Sequence, residues 1–207
     1  GDQGQINVTG TTLVAATTLD AGTGASDTIL SGDGTHWILG GDGDDEIMAD
    51  DPLTFDSAYA VVIGDNGKIE RGSGNAISVT SLDMTIGGDD VITTGNGHDI
   101  IIGGLGADTI DAGQGNNLVL GDSGEIIIAV DGSYDLARSL APADGDNDTI
   151  TTGDGDDLII GGAGADEITA GHGDNMIIGD VGTLDFIDGV LRSAFSSDFT
   201  VGGNDLI

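Results

Sequence analysis

The chain has 207 residues, with 37 acidic and 4 basic side chains and a formal net charge of −33. Such a charge repels nucleic acids and anionic lipids and favours cations as partners. It also opposes compaction, yet 38% of the residues are hydrophobic and recur in short runs. We therefore expect a folded chain that needs counter-charge. Cysteine is absent, which excludes disulfides and thiolate metal sites, and no apolar run is long enough to span a membrane.

A period of nine residues places a polar residue, usually aspartate, two positions before an isoleucine or a valine. Glycine-rich stretches such as GGAGAD (161–166) lie between these positions and permit turn conformations. Each unit therefore predicts a turn followed by a short strand, and two units predict one coil of eighteen residues. In chain order the polar positions are Asp27, His36, Asp45, Asp90, Asp99, Asp108, Asn117, Asp148, Asp157, Asp166, Asn175 and Asp205.

A second, longer period is superimposed on the first. GDQGQI at residue 1 returns as GDNGKI at 64, GDSGEI at 121 and GDVGTL at 179. This predicts one continuous array over 1–207, with long units 1–63, 64–120 and 121–178 and a truncated unit 179–207. The first unit is longer because it contains ADDPLTFDSAYAV (49–61). Both ends of the sequence interrupt the pattern, so we expect a segment of a larger repetitive protein.

Stretches that break the nine-residue rule, such as 124–145 and 182–203, separate the long units. They hold every lysine and arginine and nearly all of the aromatic residues. Within them, the sequence IIIAV-DG-SYDLA predicts a β-hairpin with Asp131-Gly132 at its turn.

Alternate strands are apolar at every position. Their outward side chains are those of Trp37, Leu39, Val61, Ile63, Ile100, Ile102, Leu118, Leu120, Leu158, Ile160, Met176 and Ile178. Such a face is expected to be covered. We predict that the hairpins cover it as a second layer through Ile127, Tyr134, Phe186, Phe195 and Phe199. The alternative is that the face binds a second copy or another partner.

The aspartates that repeat from coil to coil need a cation between them. Stacked coils lie about 4.8 Å apart, and carboxylates at that separation repel each other. Calcium takes six to eight oxygens from carboxylates and carbonyls, whereas magnesium requires a tighter octahedron and zinc prefers histidine or cysteine. Calcium is the best match, although other hard cations such as lanthanides suit the same oxygens.

Three units, GGDGDDEIM (40–48), GGLGADTID (103–111) and GGAGADEIT (161–169), resemble the RTX nonapeptide GGxGxDxUx of haemolysin-type calcium-binding proteins. The resemblance implies an all-β fold, a parallel β-roll or β-solenoid with calcium between successive turns at each edge. The inserted β-hairpins would form an additional covering layer, which the plain roll lacks. The resemblance also implies type I secretion, an extracellular or cell-surface location, and folding once the chain meets calcium.

The resemblance also assigns the metal ligands. On one edge the carboxylates would be Asp27 with Asp45, Asp90 with Asp108 and Asp148 with Asp166, and Asp205 restarts the pattern. On the other edge Asp99 would pair with Asn117, and Asp157 with Asn175, where a neutral amide oxygen makes a weaker site. No complete site is expected at His36. Turn carbonyls would complete the shells, from Gly41, Gly43, Gly95, Gly97, Gly104, Gly106, Gly153, Gly155, Gly162 and Gly164.

The GD signature contributes further aspartates, Asp2, Asp65, Asp122 and Asp180, which either bind metal or fix a tight turn. If the eighteen-residue coil continues unbroken, Asp122 or Glu125 stacks on Asp108 and supplies the missing acid there. Both roles remain open at this point.

The predicted function is a calcium-binding structural module of a large secreted or cell-surface protein, which folds and rigidifies when roughly six to ten ions bind. Its partners would be calcium and neighbouring repeats of the same chain. No enzyme is expected, because His36, His98 and His172 occupy different positions of the repeat. The alternative is a calcium-held solenoid that presents a face for glycan, ice or another copy. Thr93-Thr94 and Thr151-Thr152 suggest such a face, but Glu46 and Glu167 interrupt it.

Overall fold

The computed structural model of the protein describes residues 4–9, 12–19, 22, 24–32, 34–49, 59–141, 143, 145–197 and 202–207. The expectations for Asp2, for Phe199 and for most of 49–61 lie outside these residues. Among the described residues, no helix has the length and hydrophobicity needed to cross a membrane.

Regular structure in the described residues is almost entirely β, with one 3₁₀ turn at Ser73–Asn75. In chain order the strands are β1 (Gly4–Thr9), β2 (Thr12–Thr18), β3 (Thr28–Leu30), β4 (His36–Leu39), β5 (Glu46–Met48), β6 (Ala60–Ile63), β7 (Gly67–Arg71), β8 (Ile77–Ser81), β9 (Val91–Thr93), β10 (Ile100–Gly104), β11 (Thr109–Asp111), β12 (Leu118–Asp122), β13 (Gly124–Ile128), β14 (Tyr134–Ser139), β15 (Thr149–Thr151), β16 (Leu158–Gly162), β17 (Glu167–Thr169), β18 (Met176–Asp180), β19 (Gly182–Ile187) and β20 (Val190–Ser196).

The strands form three sheets. The outer sheet is parallel and six-stranded, in the order β17-β15-β11-β9-β5-β3, and the middle sheet is parallel and six-stranded, in the order β18-β16-β12-β10-β6-β4. The hairpin sheet is antiparallel and eight-stranded, in the order β1-β2-β7-β8-β13-β14-β19-β20. The chain alternates between the outer and middle sheets, which confirms the parallel β-roll.

Coils of two lengths alternate along the roll. Within a long unit, Ile92 pairs with Ile110 and Ile150 pairs with Ile168, which is the predicted spacing of eighteen. Between long units the spacing is larger, because Ile110 pairs with Ile150. The extra residues form the hairpins, which are inserted where the chain leaves the middle sheet for the outer sheet. We call this side of the roll the hairpin edge, and the side where the chain returns to the middle sheet the opposite edge.

The space between the outer and middle sheets is filled by β-branched side chains. One inward residue of each outer strand meets one inward residue of each middle strand, because side chains alternate along a strand. The fully buried members are Ile47, Ile92, Ile110, Ile150 and Ile159, together with Val62, Ile101 and Val119. The period-nine isoleucines of the sequence are therefore the core of the roll.

The other face of the middle sheet is covered by the hairpin sheet. Val61, Ile63, Ile100, Ile102, Leu118, Leu120 and Ile160 of the middle sheet share one apolar cluster with Ile69, Val79, Ile126, Ala137 and Leu184 of the hairpins. The predicted covering layer is thus confirmed. The same face is not available to a second copy or to another partner.

Two details of the covering layer differ from the sequence prediction. Ile126 and Ile128 face the cluster, and Ile127 points to the other side of its strand. Side chains alternate along a strand, so only every second residue faces the cluster. Tyr134 and Phe186 do pack on the cluster, with ring centroids 5.8 Å apart. Phe195, in contrast, is 48% exposed and does not belong to the cluster.

This alternation gives a test of the layered fold. Replacing Ile126 with Ala should lower the free energy of unfolding by about 2–5 kcal/mol, because a fully buried side chain is lost and a cavity remains. Ile127→Ala removes the same atoms from the opposite side of the strand and should cost clearly less. Urea denaturation in calcium measures both. Equal losses would contradict the packing of the hairpins on the middle sheet.

Candidate metal centre

A column of aspartates runs along the hairpin edge. Each backbone N–H donates to the Oδ1 atom of the aspartate one coil further on, at 2.7–3.0 Å. The column consists of Asp27, Asp45, Asp90, Asp108, Asp148, Asp166 and Asp205. It brings each predicted pair together. It also links Asp45 to Asp90 and Asp108 to Asp148, so the column continues past the inserted hairpins.

The second oxygen of these carboxylates has a different environment. The Oδ2 atoms of Asp90, Asp108, Asp148 and Asp166 are buried and accept no hydrogen bond from any described residue. A buried acceptor without a partner costs about 1–3 kcal/mol, and more when it is charged. The same deficit recurs from coil to coil, which indicates a shared ligand rather than a local defect.

Glycines without side chains make room beside these oxygens. A Cβ atom on Gly103 would collide with Asp108 Oδ2 and with the carbonyl oxygen of Gly121 in the next coil. A Cβ atom on Gly121 would collide in the same way with Asp148 Oδ2 and the carbonyl of Gly161. We call the space beside such a glycine a cradle. Each cradle brings together a carboxylate oxygen and a carbonyl oxygen from two successive coils.

These cradle glycines were absent from the sequence-predicted ligands. The cradle repeats at Gly40 and Gly64, and it uses carbonyls of Gly64, Gly103, Gly121, Gly161 and Gly179. The sequence does contain a signal for them. The first glycine of the GGxGxD motif and the glycine of the GD signature occupy the same place in the roll, because Gly104 pairs with Asp122 and Gly162 pairs with Asp180.

The glycines predicted to bind metal through their carbonyl oxygens fall into two groups. On the opposite edge the carbonyls of Gly95, Gly97, Gly153 and Gly155 face glycines of the next coil, and on the hairpin edge those of Gly43 and Gly164 do the same. Gly41, Gly104, Gly106 and Gly162 adopt positive φ angles of 118°, 135°, 103° and 129°, which only glycine adopts without strain. Gly104 and Gly162 are the last residues of β10 and β16, and the other eight lie in the turns between strands.

Burial controls the ionisation of the column. Desolvation, with a smaller contribution from the charge of neighbouring aspartates, raises the pKa of Asp90 to about 8 and that of Asp148 to about 9. The pKa of Asp166 rises to about 6 for the same reasons, and burial together with Asp148 and Asp90 holds the pKa of Asp108 well above its usual range. Without counter-charge Asp90 and Asp148 therefore retain protons at neutral pH.

The opposite edge has a similar column with different chemistry. The backbone N–H of Asp99 donates to Asn117 Oδ1 at 3.0 Å, that of Asn117 to Asp157 Oδ1 at 2.9 Å, and that of Asp157 to Asn175 Oδ1 at 2.9 Å. The predicted pairs are thus adjacent here as well. His36 begins β4 and pairs with Ala60, whose N–H donates to Asp99 Oδ1, so the start of this column has no carboxylate of its own.

The two asparagines have partners other than the predicted metal. Asn117 Nδ2 donates to the carbonyls of Gly113 and Gly115, at 3.4 and 3.2 Å, and Asn175 Nδ2 donates to the carbonyl of Gly171 at 3.0 Å. Because the Oδ1 atom of each amide accepts a backbone N–H, the NH₂ group takes the place of the second carboxylate oxygen of an aspartate.

The GD aspartates lie beneath glycine turns. Asp65 accepts the backbone N–H groups of Gly88, at 3.0 Å, and of Leu105, which ties the end of one hairpin insertion to the next coil. Asp122 accepts the N–H of Ala163, whereas its Oδ1 atom is buried without a partner among the described residues. Burial raises the pKa of Asp65 to about 7 and that of Asp122 to about 8.

The acid stacked on Asp108 is Asp148, not Asp122 or Glu125. The coil that follows Asp108 includes a hairpin, so its column position is filled only after the chain returns from that hairpin. Glu125 lies on β13 and pairs with Arg138 at 2.6 Å. The prediction that Asp122 or Glu125 stacks on Asp108 assumed an unbroken eighteen-residue coil, and the coil is interrupted here by the inserted hairpin.

The donors present suit a hard cation. Among the described residues, no three histidine, aspartate or glutamate side chains form a metal-binding group, so carboxylates alone do not complete a shell. The cradles supply the remaining donors as carbonyl oxygens. Carboxylate and carbonyl oxygens without nitrogen or sulfur form the ligand set of calcium.

Comparison with protein families agrees with this chemistry. The model of the RTX calcium-binding nonapeptide repeat matches four copies, over residues 21–51, 85–124 and 143–177. Because these ranges cover just over half of the chain, the protein belongs to this family. It is a calcium-binding structural repeat module. No curated protein and no solved structure matches the chain significantly.

The raised pKa values predict an unusual pH dependence for the calcium-free protein. An acid whose pKa is higher in the folded state binds more protons when folded, so its contribution to stability is lost as pH rises through the folded pKa. The melting temperature in EDTA should therefore fall as pH rises above about 4, where these acids ionise in the unfolded chain, and level off as pH passes the folded pKa values of about 6, 8 and 9 for Asp166, Asp90 and Asp148. Scanning calorimetry from pH 5 to pH 9 measures this, and a rise over that range would contradict the burial of these acids.

Proposed function

We propose that the chain is a calcium-dependent structural segment of a large secreted or cell-surface protein. The observation that carries the proposal lies in the aspartate column of the hairpin edge, where Asp90, Asp108, Asp148 and Asp166 are buried and their Oδ2 atoms have no partner in the described part of the chain. Calcium would neutralise this column and join successive coils, so that binding and rigidification are one event. The module would leave its secreting cell by type I secretion and fold where calcium is abundant.

The proposed ligands on the hairpin edge are the column carboxylates and the carbonyls of the cradle glycines. The side chains are Asp27, Asp45, Asp90, Asp108, Asp148, Asp166 and Asp205. On the opposite edge, Asp99 and Asp157 are the proposed carboxylates. The count remains roughly six to ten ions, which at two charges each would offset a large part of the formal charge of −33.

The proposed long units each contribute two coils and one hairpin. In the unit 64–120, for example, β7 and β8 form the hairpin, and the two coils contain β9 to β12, the last of which begins within the unit at Leu118. Because every unit adds to all three sheets, the array extends without a change of architecture. A role as a stiff segment among neighbouring repeats of the same kind follows from this geometry.

The exposed face of the outer sheet does not support a regular ligand-binding surface. Thr109 and Thr149 are neighbours on it, but Val91 and Glu167 flank them at the same register. A flat threonine row would need the same residue type in every coil. We therefore place the function in the turns rather than on this face.

The first experiment is a far-UV circular dichroism titration of EDTA-treated protein with calcium, with magnesium in parallel. A β signal that is weak in EDTA and melts at low temperature, and that calcium but not magnesium strengthens, supports metal-coupled folding. A β-rich spectrum in EDTA that calcium leaves unchanged, with no rise in melting temperature, would remove the proposed dependence on calcium.

A matched pair of substitutions tests the column itself. Asp90→Asn removes a buried carboxylate, so calcium affinity should fall by at least about tenfold, while the melting temperature in EDTA should not fall. Asp89→Asn removes the same charge from the adjacent exposed residue, whose Oδ1 accepts the N–H of Ala107, and should change affinity little. Isothermal titration calorimetry and melting curves measure both, and equal effects would argue against a site at the column.

A further inference from the structure

The two edges of the roll differ in how they satisfy their turn carbonyls. We infer that Asn117 and Asn175 replace the cation in their own turns, so that these two turns of the opposite edge are built to hold without calcium. The inference rests on the proposed function, since it concerns which turns of that calcium-dependent module require the ion.

The orientation of each carboxamide is fixed by its neighbours. The Oδ1 atom must face the backbone N–H of the preceding coil, because that group can only donate, and it lies at 3.0 Å from Asn117 and 2.9 Å from Asn175. The NH₂ group then lies where the second carboxylate oxygen would be in an aspartate. From there it donates to the carbonyls of Gly113 and Gly115, and in the second turn to that of Gly171.

The NH₂ group therefore does for these carbonyls what a cation would do. It carries positive partial charge, it is held by the same turn, and it removes one of the carboxylates that would otherwise repel each other along the column. Asn117 is 1% exposed, so water does not supply this role.

The aspartate turns of the same edge provide an internal contrast. In the turn 152–157, Thr152 Oγ1 and Asp157 Oδ2 are both buried and without a hydrogen bond to any described group. Asn117 and Asn175 have Ala112 and Ala170 five residues before them, whereas Asp99 and Asp157 have Thr94 and Thr152 at that place. The pairs alternate from coil to coil, and in the described part of the chain the unpartnered buried atoms of Thr152 and Asp157 have no counterpart in the Ala–Asn turns.

The hairpin edge has neither of these arrangements. There the residue five positions before Asp108 and Asp166 is a glycine, Gly103 or Gly161, and the cradle forms in the space that a Cβ atom would fill. Turns that require calcium thus follow one another without a break along the hairpin edge, whereas along the opposite edge they alternate with turns that do not require it. The opposite edge should retain more of its structure when calcium is removed.

The test converts a turn that is stable without calcium into one that requires calcium. Asn117→Asp removes both amide donors and places a third acid between Asp99 and Asp157. The melting temperature in EDTA should fall by about 2–8 °C, and the number of calcium ions bound per chain in isothermal titration calorimetry should rise. Asn116→Asp is the control, because this exposed neighbour gains the same charge and keeps its acceptor for the N–H of Asp156. It should change neither quantity.

A reciprocal variant keeps the test decisive if Asn117→Asp folds poorly. The double substitution Thr152→Ala with Asp157→Asn turns a Thr–Asp turn into an Ala–Asn turn. It should lower the number of bound ions without lowering the melting temperature in EDTA.

The outcomes separate the two proposals. An unaltered chain that binds no calcium overturns the proposed function, whatever the variants do. If the unaltered chain binds calcium but Asn117→Asp leaves the stoichiometry unchanged, the proposed function stands and the role of the asparagines is wrong. A fall in stoichiometry for Asn117→Ala would likewise overturn it, because that would make Asn117 a ligand of the ion.

Discussion

Buried like charges at the spacing of a β-ladder are the constraint on which the rest of the structure depends. Two unit charges 4 Å apart interact with about 4 kcal/mol at an effective dielectric of 20, and here each aspartate has one neighbour above it and one below. The backbone N–H groups satisfy one oxygen of each carboxylate, so the second oxygen is left to a ligand. The cradle glycines make room for a cation beside the stacked carboxylates, and the asparagines of the opposite edge replace some of those carboxylates.

Apolar packing gives the roll a scaffold on which the charged turns are held. The isoleucine column between the outer and middle sheets forms a narrow core, and the hairpin sheet adds a second core on the other face of the middle sheet. A middle sheet buried on both faces is stabilised by more apolar contact than the two-layer roll alone would provide. The apolar contacts also fix the register of the coils, and the register places the aspartates one above another.

Much of this arrangement could be predicted from the sequence, because it depends on periodicity. Period nine gave the strands, the inward isoleucines and the aspartate pairs, and the strands that are apolar at every position, such as that of Leu118 and Leu120, required a covering layer. The turns of Asn117 and Asn175 could not be predicted in the same way. A sequence shows that asparagine can offer an oxygen, but the direction of its NH₂ group depends on which backbone N–H lies next to it in space.

The hairpins show the same limit from another side. Sequence spacing alone predicted that Asp122 or Glu125 stacks on Asp108, on the assumption of an unbroken coil. The chain instead leaves the roll at Gly124, and after the hairpin Asp148 occupies this place. A local departure in sequence thus has no effect on the column, because the column is defined by ladder pairing and not by chain distance.

The GD signature explains how the roll tolerates these insertions. Its glycine keeps the cradle intact where the hairpin begins, and its aspartate extends beneath the turn where the hairpin ends. Asp65 shows this most clearly, since its carboxylate fills the space that side chains on Gly87 and Gly104 would need and accepts the N–H groups of Gly88 and Leu105. Departure and return are therefore joined at one residue, and a hairpin of any length that begins and ends at this clamp leaves the next coil in register. The signature recurs once in every long unit because each unit contains one such insertion.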